Sequence, residues 1–423
     1  MKIAVIGGGS TYTPELMDGL ISDGPALGLT EVVLMDIDAE RLGVVGGFCS
    51  RMVAHAGAAF KVVTTADRER AVDGASFVLT QVRVGGQAGR HLDIRLGLDH
   101  GLVGQETTGV GGFAKALRTV PVMLEICRDM ERRCPHAWLI NFTNPSGLVT
   151  EAILKHGRQR AIGLCNNPIN LRMEVAARLK VEPDHVDLDY LGLNHLSWVR
   201  RVTVDGRDVL PGVLDELTSA GRPANIPEEL DYPPEFIRAL GMIPSSYLRY
   251  YYLTRKALAE LQRKPKSRAE EVMDIEKDLL AAYAEPGRVE KPPELEKRGG
   301  AFYSRAALDL VLAIHQDSGR RQIVNARNGK AIACLPEDCV VEVPCTIGAD
   351  GAQPLPVDPP PPEIRGLLQH VKAYEELAVE AALTRSRRLA LLALVAHPLV
   401  ADVELAGTLI LEISARHGIV FED

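Results

Sequence analysis

The sequence predicts an α/β protein: an N-terminal Rossmann-like doubly wound sheet followed by a C-terminal α+β domain. Three observations predict it. Short apolar segments alternate with helix-forming ones from Lys2 to about Leu179, a glycine triplet follows the first of them, and the alternation stops after about Asp184. Alternation of this kind implies parallel pairing with helices on both faces. The expected division is therefore residues 1–183 and residues 184–423.

The elements follow in order. Lys2–Ile6 is an apolar strand that ends in Gly7-Gly8-Gly9-Ser10. Pro14 to Ile21 suits a helix with Thr13 as its N-cap and Pro14 at the first helical position. Strands are expected at Glu31–Met35, Phe60–Thr64, Ser76–Val82, Trp138–Asn141 and Ala161–Leu164. Helices are expected at Asp38–His55, Lys115–Arg133, Gly147–Lys155 and Pro168–Leu179. In the second part, Val186–Leu191 reads as a strand entering Asn194-His195. Helices are expected near Pro244–Gln262 and Arg268–Ala282, and short strands at Gln322–Asn325 and Val340–Glu342. The segment Pro354–Pro362 reads as a proline-rich surface connection, and residues from Glu363 to His417 read as helices.

The glycine turn carries the first chemistry. A strand, a glycine-rich turn and a helix N-terminus together cradle a dinucleotide pyrophosphate. Gly7, Gly8, Gly9 and Ser10 are the candidate phosphate-contacting residues, although Tyr12 stands where the third fingerprint glycine would be. Asp36 ends the second strand, where a carboxylate accepts hydrogen bonds from ribose hydroxyls and repels a 2′-phosphate, which favours NAD over NADP. The competing reading is a turn that needs glycine only for its backbone shape.

Cys165 and His195 each stand at a strand end, in Gly163-Leu164-Cys165-Asn166-Asn167-Pro168 and Gly192-Leu193-Asn194-His195-Leu196. A thiolate and an imidazole can hold a divalent ion and leave positions open for substrate oxygens. By ligand softness alone, zinc or ferrous iron would be favoured over manganese. Taken singly, each residue is equally a buried thiol or a core histidine.

Other loops are rich in groups that read polyhydroxylated or anionic ligands. Arg83 and Arg90 flank Gly85-Gly86, Gly104-Gln105-Glu106-Thr107-Thr108-Gly109 follows, and Asn141 and Asn144 close another strand. A surface pair with Asp93 would equally account for Arg90, and one with Glu271 for Arg268. Tyr247-Leu248-Arg249-Tyr250-Tyr251-Tyr252 is the densest aromatic run in a chain with only 5% aromatics. One of its tyrosines can serve as a base if a nearby cation lowers its pKa, while the others are expected to pack.

Composition excludes several classes. The net charge of −8, from 48 basic and 56 acidic residues, and the lack of a long basic run argue against nucleic acid. No apolar run is long enough for a membrane span or signal core. Seven scattered cysteines without a CxxC pair suit a reduced, cytoplasmic protein.

Taken in order, Lys2 to Ser10, Arg83-Val84-Gly85-Gly86, Gly104-Gln105-Glu106-Thr107, Asn141-Phe142-Thr143-Asn144-Pro145, Cys165-Asn166-Asn167-Pro168, Gly192-Leu193-Asn194-His195 and Tyr247-Leu248-Arg249-Tyr250-Tyr251 form a recognisable set. Together they resemble the NAD- and manganese-dependent glycosidases of glycoside hydrolase family four, and within it the 6-phospho-β-glucosidase branch. That family is an exception to two-carboxylate glycoside hydrolysis. The resemblance implies an NAD-binding unit over 1–183 and a substrate-binding and catalytic unit over 184–423. It implies Cys165 and His195 as ligands of Mn²⁺ or another divalent metal, Tyr247 as base, Arg90 and Asn144 as substrate contacts and Arg268 as the 6-phosphate contact. Members acting on α-linked phosphoglucosides usually carry aspartate after the metal cysteine; Asn166 is the β-type residue and a substrate contact, and it leaves the proton donor unassigned. The implied partner is a phosphorylated β-glucoside, and a homo-oligomer (dimer or tetramer) is expected. The alternatives are an NAD-dependent sugar or hydroxy-acid dehydrogenase, a non-catalytic redox-sensing or sugar-phosphate-binding protein, and a family-four enzyme acting on an unphosphorylated glycoside.

Overall fold

The computed structural model describes residues 1–218, 232–298 and 302–422. Six short apolar strands pair in parallel: β1 (Lys2–Ile6), β2 (Glu31–Met35), β3 (Lys61–Thr65), β4 (Phe77–Thr80), β5 (Trp138–Asn141) and β6 (Arg160–Gly163). Their spatial order is β6-β5-β4-β1-β2-β3. The chain runs outward through β2 and β3, then returns to the other side of β1 as β4. Strand order thus reverses between β1 and β4, and the loops leaving their carboxyl ends diverge into a crevice.

Antiparallel strands from the second half extend the same sheet. They are β7 (Val186–Leu193), β8 (Leu196–Val204), β9 (Arg207–Asp208), β10 (Ile243–Pro244), β11 (Arg320–Arg327), β12 (Val340–Gly348) and β13 (Gly351–Pro354). Among the described residues the thirteen strands form one sheet. The joins are narrow: β11 meets β6 through the pair Asn325 and Gly163, and β12 meets β7 through Glu342 and Gly192. The first of these joins is the one between the two halves of the sheet, and the second lies within the antiparallel half.

Several elements differ from expectation for identifiable reasons. Thr13 is not a cap: the helix Thr13–Leu27 starts one residue earlier than expected, and the Thr13 hydroxyl donates to the Gly8 carbonyl at 2.9 Å while Gln81 Nε2 donates to it at 2.7 Å. The single helix expected over Pro244–Gln262 is broken. Ile243–Pro244 pairs with Trp198 and Val199 on β8, a 3₁₀ turn covers Ser246–Leu248, and helices cover Arg249–Tyr252 and Thr254–Arg263. The return strand β8 and the helices Gly86–Asp99 and Tyr303–Gln316 were not anticipated. The helix Gly109–Arg133 starts six residues before Lys115, because its glycines serve close approach and not a loop. A Cβ on Gly111 would stand 2.3 Å from the Gln105 carbonyl oxygen, and one on Gly112 2.7 Å from the Thr107 carbonyl carbon. Segment 104–108 is thereby laid flat on the start of that helix. Among the described residues, no helix is long and apolar enough to cross a membrane.

A buried ion cluster ties the C-terminal helices to this frame. Lys372, on the helix Pro362–Thr384, lies 2.7 Å from Glu151 Oε2 and 2.6 Å from Glu375 Oε2. Glu151 also accepts the Val340 amide of β12 at 2.9 Å. Lys372 and Glu151 are fully buried, so removing the cation leaves two carboxylates away from water, with only the Val340 amide and Lys155, both on Glu151, to offset their charge. Lys372→Met should cost about 3–5 kcal/mol of stability in urea unfolding; a loss typical of an exposed pair would show that the cluster is not sealed.

Candidate active site

The glycine turn leaves β1 with Gly7 at φ +91°, and its backbone presses against the tip of β2. A Cβ on Gly9 would stand 2.8 Å from Asp36 Oδ2, the oxygen that accepts the Gly9 amide at 2.9 Å. No side chain caps the helix Thr13–Leu27 that follows. Two arginines that sequence reasoning missed frame the turn. Arg41 Nε donates to the Gly9 carbonyl at 2.7 Å, and Arg298 donates to Thr11 Oγ1 at 2.6 Å and Ser10 Oγ at 3.3 Å. Glu276 pairs with both, at 3.0 and 3.3 Å. An open backbone, a helix N-terminus and two cations suit a pyrophosphate, with Asp36 at the ribose end.

Across the crevice, Cys165 follows β6, and the two-residue turn Asn194-His195 joins β7 to β8. His195 sits at φ +65°, a conformation that a non-glycine residue holds only when its surroundings impose it. The imposing contacts are visible. His195 Nδ1 lies 3.0 Å from Thr107 Oγ1, and the ring stacks on Tyr247 with centroids 3.7 Å apart and planes 2° from parallel. Burial pushes the His195 pKa down to about 3, so the ring is neutral and able to donate an electron pair. Cys165 is buried as well. Desolvation and then the nearby Glu342 carboxylate raise its thiol pKa, while the Asn194 side chain and the Asn167 amide hydrogen-bond the sulfur. A bound cation would reverse that preference and favour thiolate. Among the described residues, no group of three or more His, Cys, Asp or Glu comes together to hold a metal. The donor set available is thus one thiol and one imidazole, with room for ligand oxygens.

The remaining expected residues fall around this pair. Arg90 does not pair with Asp93, which Arg118 engages at 2.7 Å; Arg90 pairs with buried Glu106 at 2.9 Å. Tyr247 and Arg268 both lie near enough to act on its charge. Among the described residues, Arg90 Nε and Asn144 Oδ1 are buried without a hydrogen-bond partner. Asn166 opens the helix Asn167–Leu179 beside Cys165. Asn141 is structural, bonded to Thr80, Thr143 and Thr150. Arg268 is half-exposed; it bonds Glu271 at 3.1 Å and the carbonyls of Lys297 and Arg298 at 3.1 and 3.4 Å. In the aromatic run, Tyr251 bonds Thr108 at 2.6 Å and Tyr252 bonds Trp198 at 3.1 Å, which are packing roles.

Two further hubs are Glu106, which lies in the Gly104-Gln105-Glu106-Thr107 run, and Tyr303, which lies in no motif. Burial alone would raise the Glu106 pKa, but Arg83, Lys115 and Arg90 outweigh it and hold the carboxyl well below its usual range. Tyr303 donates to the Leu164 carbonyl at 3.2 Å and packs edge-on to Tyr12 and Phe142, linking the glycine turn to the cysteine end of β6.

With this geometry in place, comparison with known proteins is informative. The family model described as family 4 glycosyl hydrolase matches residues 2–181, and that of the family 4 glycosyl hydrolase C-terminal domain matches residues 190–400. The chain belongs to family 4 of the glycosyl hydrolases. It is 42% identical over 428 residues to a probable 6-phospho-beta-glucosidase of Bacillus subtilis (strain 168), covering 99% of this chain and 96% of that protein. It is also 42% identical over 414 residues to a 6-phospho-beta-glucosidase of Thermotoga maritima, covering 98% and 97%. A crystal structure of the Thermotoga maritima 6-phospho-beta glucosidase, with manganese, NAD+ and glucose-6-phosphate, superposes with a TM-score of 0.93 at 41% identity over the whole of both chains.

In this family 4 glycosyl hydrolase one further acid stands behind the metal candidates. Glu342 of β12 is fully buried and accepts from Tyr190 at 2.7 Å, Asn325 at 2.9 Å and Asn194 at 3.2 Å. Its signal was present in the sequence: an acid inside the apolar strand Val340-Val341-Glu342-Val343. Burial outweighs those hydrogen bonds and pushes its pKa from 4.5 up to about 7. Between these two values the unfolded chain has released the proton and the folded chain still holds it, so this group's contribution to stability falls as pH rises. Glutamine never ionises, and its carbonyl can accept both asparagine amides. Glu342→Gln should therefore gain stability relative to the unsubstituted protein between pH 5 and pH 8, by up to about 3 kcal/mol in denaturant titrations. A difference independent of pH would show that Glu342 is ionised throughout.

Proposed function

We propose that the chain hydrolyses 6-phospho-β-glucosides with the help of NAD+ and a divalent metal, Mn²⁺ being the first choice. The observation that carries this reading is the identity of 42% along essentially the whole chain with proteins named 6-phospho-beta-glucosidase. Residue chemistry supports it. Gly7, Gly8, Gly9, Ser10 and Asp36 suit NAD+, and Cys165 with neutral His195 suits a divalent cation. The first 183 residues serve the cofactor and also bring Arg90, Asn144, Cys165 and Asn166 to the substrate, while the remainder adds His195, Tyr247 and Arg268.

When bound, NAD+ takes up and later returns the hydride of sugar carbon 3, and the metal polarises the carbonyl formed there. Tyr247, stacked on His195, removes the proton from carbon 2. The electron pair released forms the bond between carbons 1 and 2, and the glycosidic oxygen leaves. Water then adds to the unsaturated ketone, so the net reaction is hydrolysis. Arg90 and Asn144 bind sugar oxygens through Nε and Oδ1, the buried atoms left without a partner among the described residues. Asn166, next to Cys165, contacts the substrate where an α-specific enzyme would carry an acid. Arg268 grips the 6-phosphate, which carries more charge than the carbonyl oxygens it now bonds. The dehydrogenase alternative would accumulate NADH, whereas this cycle returns it.

An NAD+-dependent enzyme with seven free thiols and a phosphorylated substrate fits the cytoplasm. Exposed Val403, Leu411 and Val420 near the C-terminus support a homo-oligomer.

Aryl β-glucosides with and without the 6-phosphate, assayed with NAD+ and Mn²⁺, test the reading. The phosphorylated substrate should show a kcat/KM larger by about 100-fold or more, and Arg268→Ala should narrow that ratio about tenfold. Equal rates on both substrates would overturn the phosphate assignment.

A further inference from the structure

The segment 104–108 carries a series of hydrogen bonds whose directions can be assigned from donor counting. The backbone N–H of Thr107 and the Thr107 hydroxyl both contact the same atom of the Gln105 side chain, Oε1, the hydroxyl at 2.8 Å. A backbone N–H only donates, so that atom is the amide oxygen and not the nitrogen. An amide oxygen only accepts, so the single hydroxyl proton of Thr107 lies toward Gln105. Thr107 Oγ1 therefore has only lone pairs left for its second neighbour, His195 Nδ1, at 3.0 Å. The proton of that bond belongs to the imidazole. A series that begins at a main-chain amide thus ends by assigning a tautomer 88 residues further along the sequence.

The surroundings keep the chain from rearranging. Gly111 and Gly112 let segment 104–108 lie against the helix Gly109–Arg133. Next along, Thr108 bonds the Tyr251 hydroxyl at 2.6 Å, and the Gly109 amide donates to the ring of buried His397 at 3.0 Å. His195 is held from its other side by the Tyr247 ring. Neither end of the series is free to slide.

We propose that Gln105 and Thr107 are positioning residues that hold His195 as its Nδ1-protonated tautomer and so present Nε2 as the electron-pair donor to the divalent cation. The inference deepens the metal reading proposed above and rests on it. It says which ring nitrogen ligates and which residues choose it. Residues that orient a ligating histidine through its second nitrogen typically change metal affinity about 10–100-fold when removed. Free imidazole places its proton mostly on Nε2, so a ring released from Thr107 would block the nitrogen the cation needs.

The test uses the full chain with NAD+ and no sugar. Mn²⁺ affinity is read from the free-ion EPR signal, which is independent of turnover. Thr107→Val keeps the shape and removes the acceptor, and it should weaken Mn²⁺ binding about 10–100-fold; Thr107→Ser should stay within about threefold. Gln105→Met frees the Thr107 hydroxyl to donate to Nδ1 and should weaken binding as well. Long-range ¹⁵N–¹H spectra of metal-free, histidine-labelled protein, assigned with His195→Gln, should show His195 protonated at Nδ1 and lose that signature in Thr107→Val. If Thr107→Val binds Mn²⁺ like the unsubstituted protein while His195→Gln does not, the positioning role is wrong and the metal reading survives. If the unsubstituted protein and His195→Gln bind Mn²⁺ alike, the metal reading itself fails and this inference with it. An Nε2-protonated His195 in the unsubstituted protein overturns the inference whatever the metal does.

Discussion

The Glu342 carboxylate, sealed from water and surrounded by the donors of Tyr190, Asn194 and Asn325, is the constraint on which the site depends. The parallel and antiparallel parts of the sheet touch at β6 and β11 through the pair Gly163 and Asn325; Glu342 lies opposite Asn325 on β12 and is in turn the residue that pairs with Gly192 of β7. A buried polar group must find partners or cost several kcal/mol, so these strands have one favourable register. That register sets the Asn194-His195 turn beside the cysteine that ends β6. Asn194 belongs to both sides, since its amide reaches Glu342 and its side chain reaches the Cys165 sulfur. Without this junction, two residues thirty positions apart in the chain would have no reason to share a crevice.

Charge in the crevice follows a second logic. Glu106 anchors Arg83, Arg90 and Lys115, and Glu276 anchors Arg41 and Arg298. Each acid holds more cations than it can neutralise, which leaves a positive field in a low-dielectric pocket. Such a field suits a dinucleotide and a sugar phosphate, both anions, in a chain whose net charge is negative. His195 contributes no charge, which leaves its ring available as a ligand.

The doubly wound half was legible because its strands are short, apolar and closed by glycine, asparagine or acid, and because those strand ends are where such sheets bind ligands. Cys165, His195 and Tyr247 were visible as motif residues. What the sequence could not carry was long-range pairing. The partner of Arg90 is Glu106 rather than Asp93, a preference settled by the fold of segment 104–108 onto a glycine-rich helix face. The helix expected at Pro244–Gln262 failed because β8 captured Ile243–Pro244, a tertiary contact that no local pattern announces. Arg298 stands between Pro292-Pro293 and Gly299-Gly300, with Tyr303 just beyond, and these signals mark a break in the sequence without saying which crevice the two side chains reach. Glu342 was different: an acid inside an apolar strand was readable as a buried, partnered group, and only its partners were hidden.

The central claim is that this assembly loosens a glycosidic bond by removing the hydrogen at carbon 2. Turnover of an aryl 6-phospho-β-glucoside in D₂O, followed by mass and NMR analysis of the released sugar phosphate, tests it directly. The account predicts solvent deuterium at carbon 2 of the product; complete retention of protium there would contradict it.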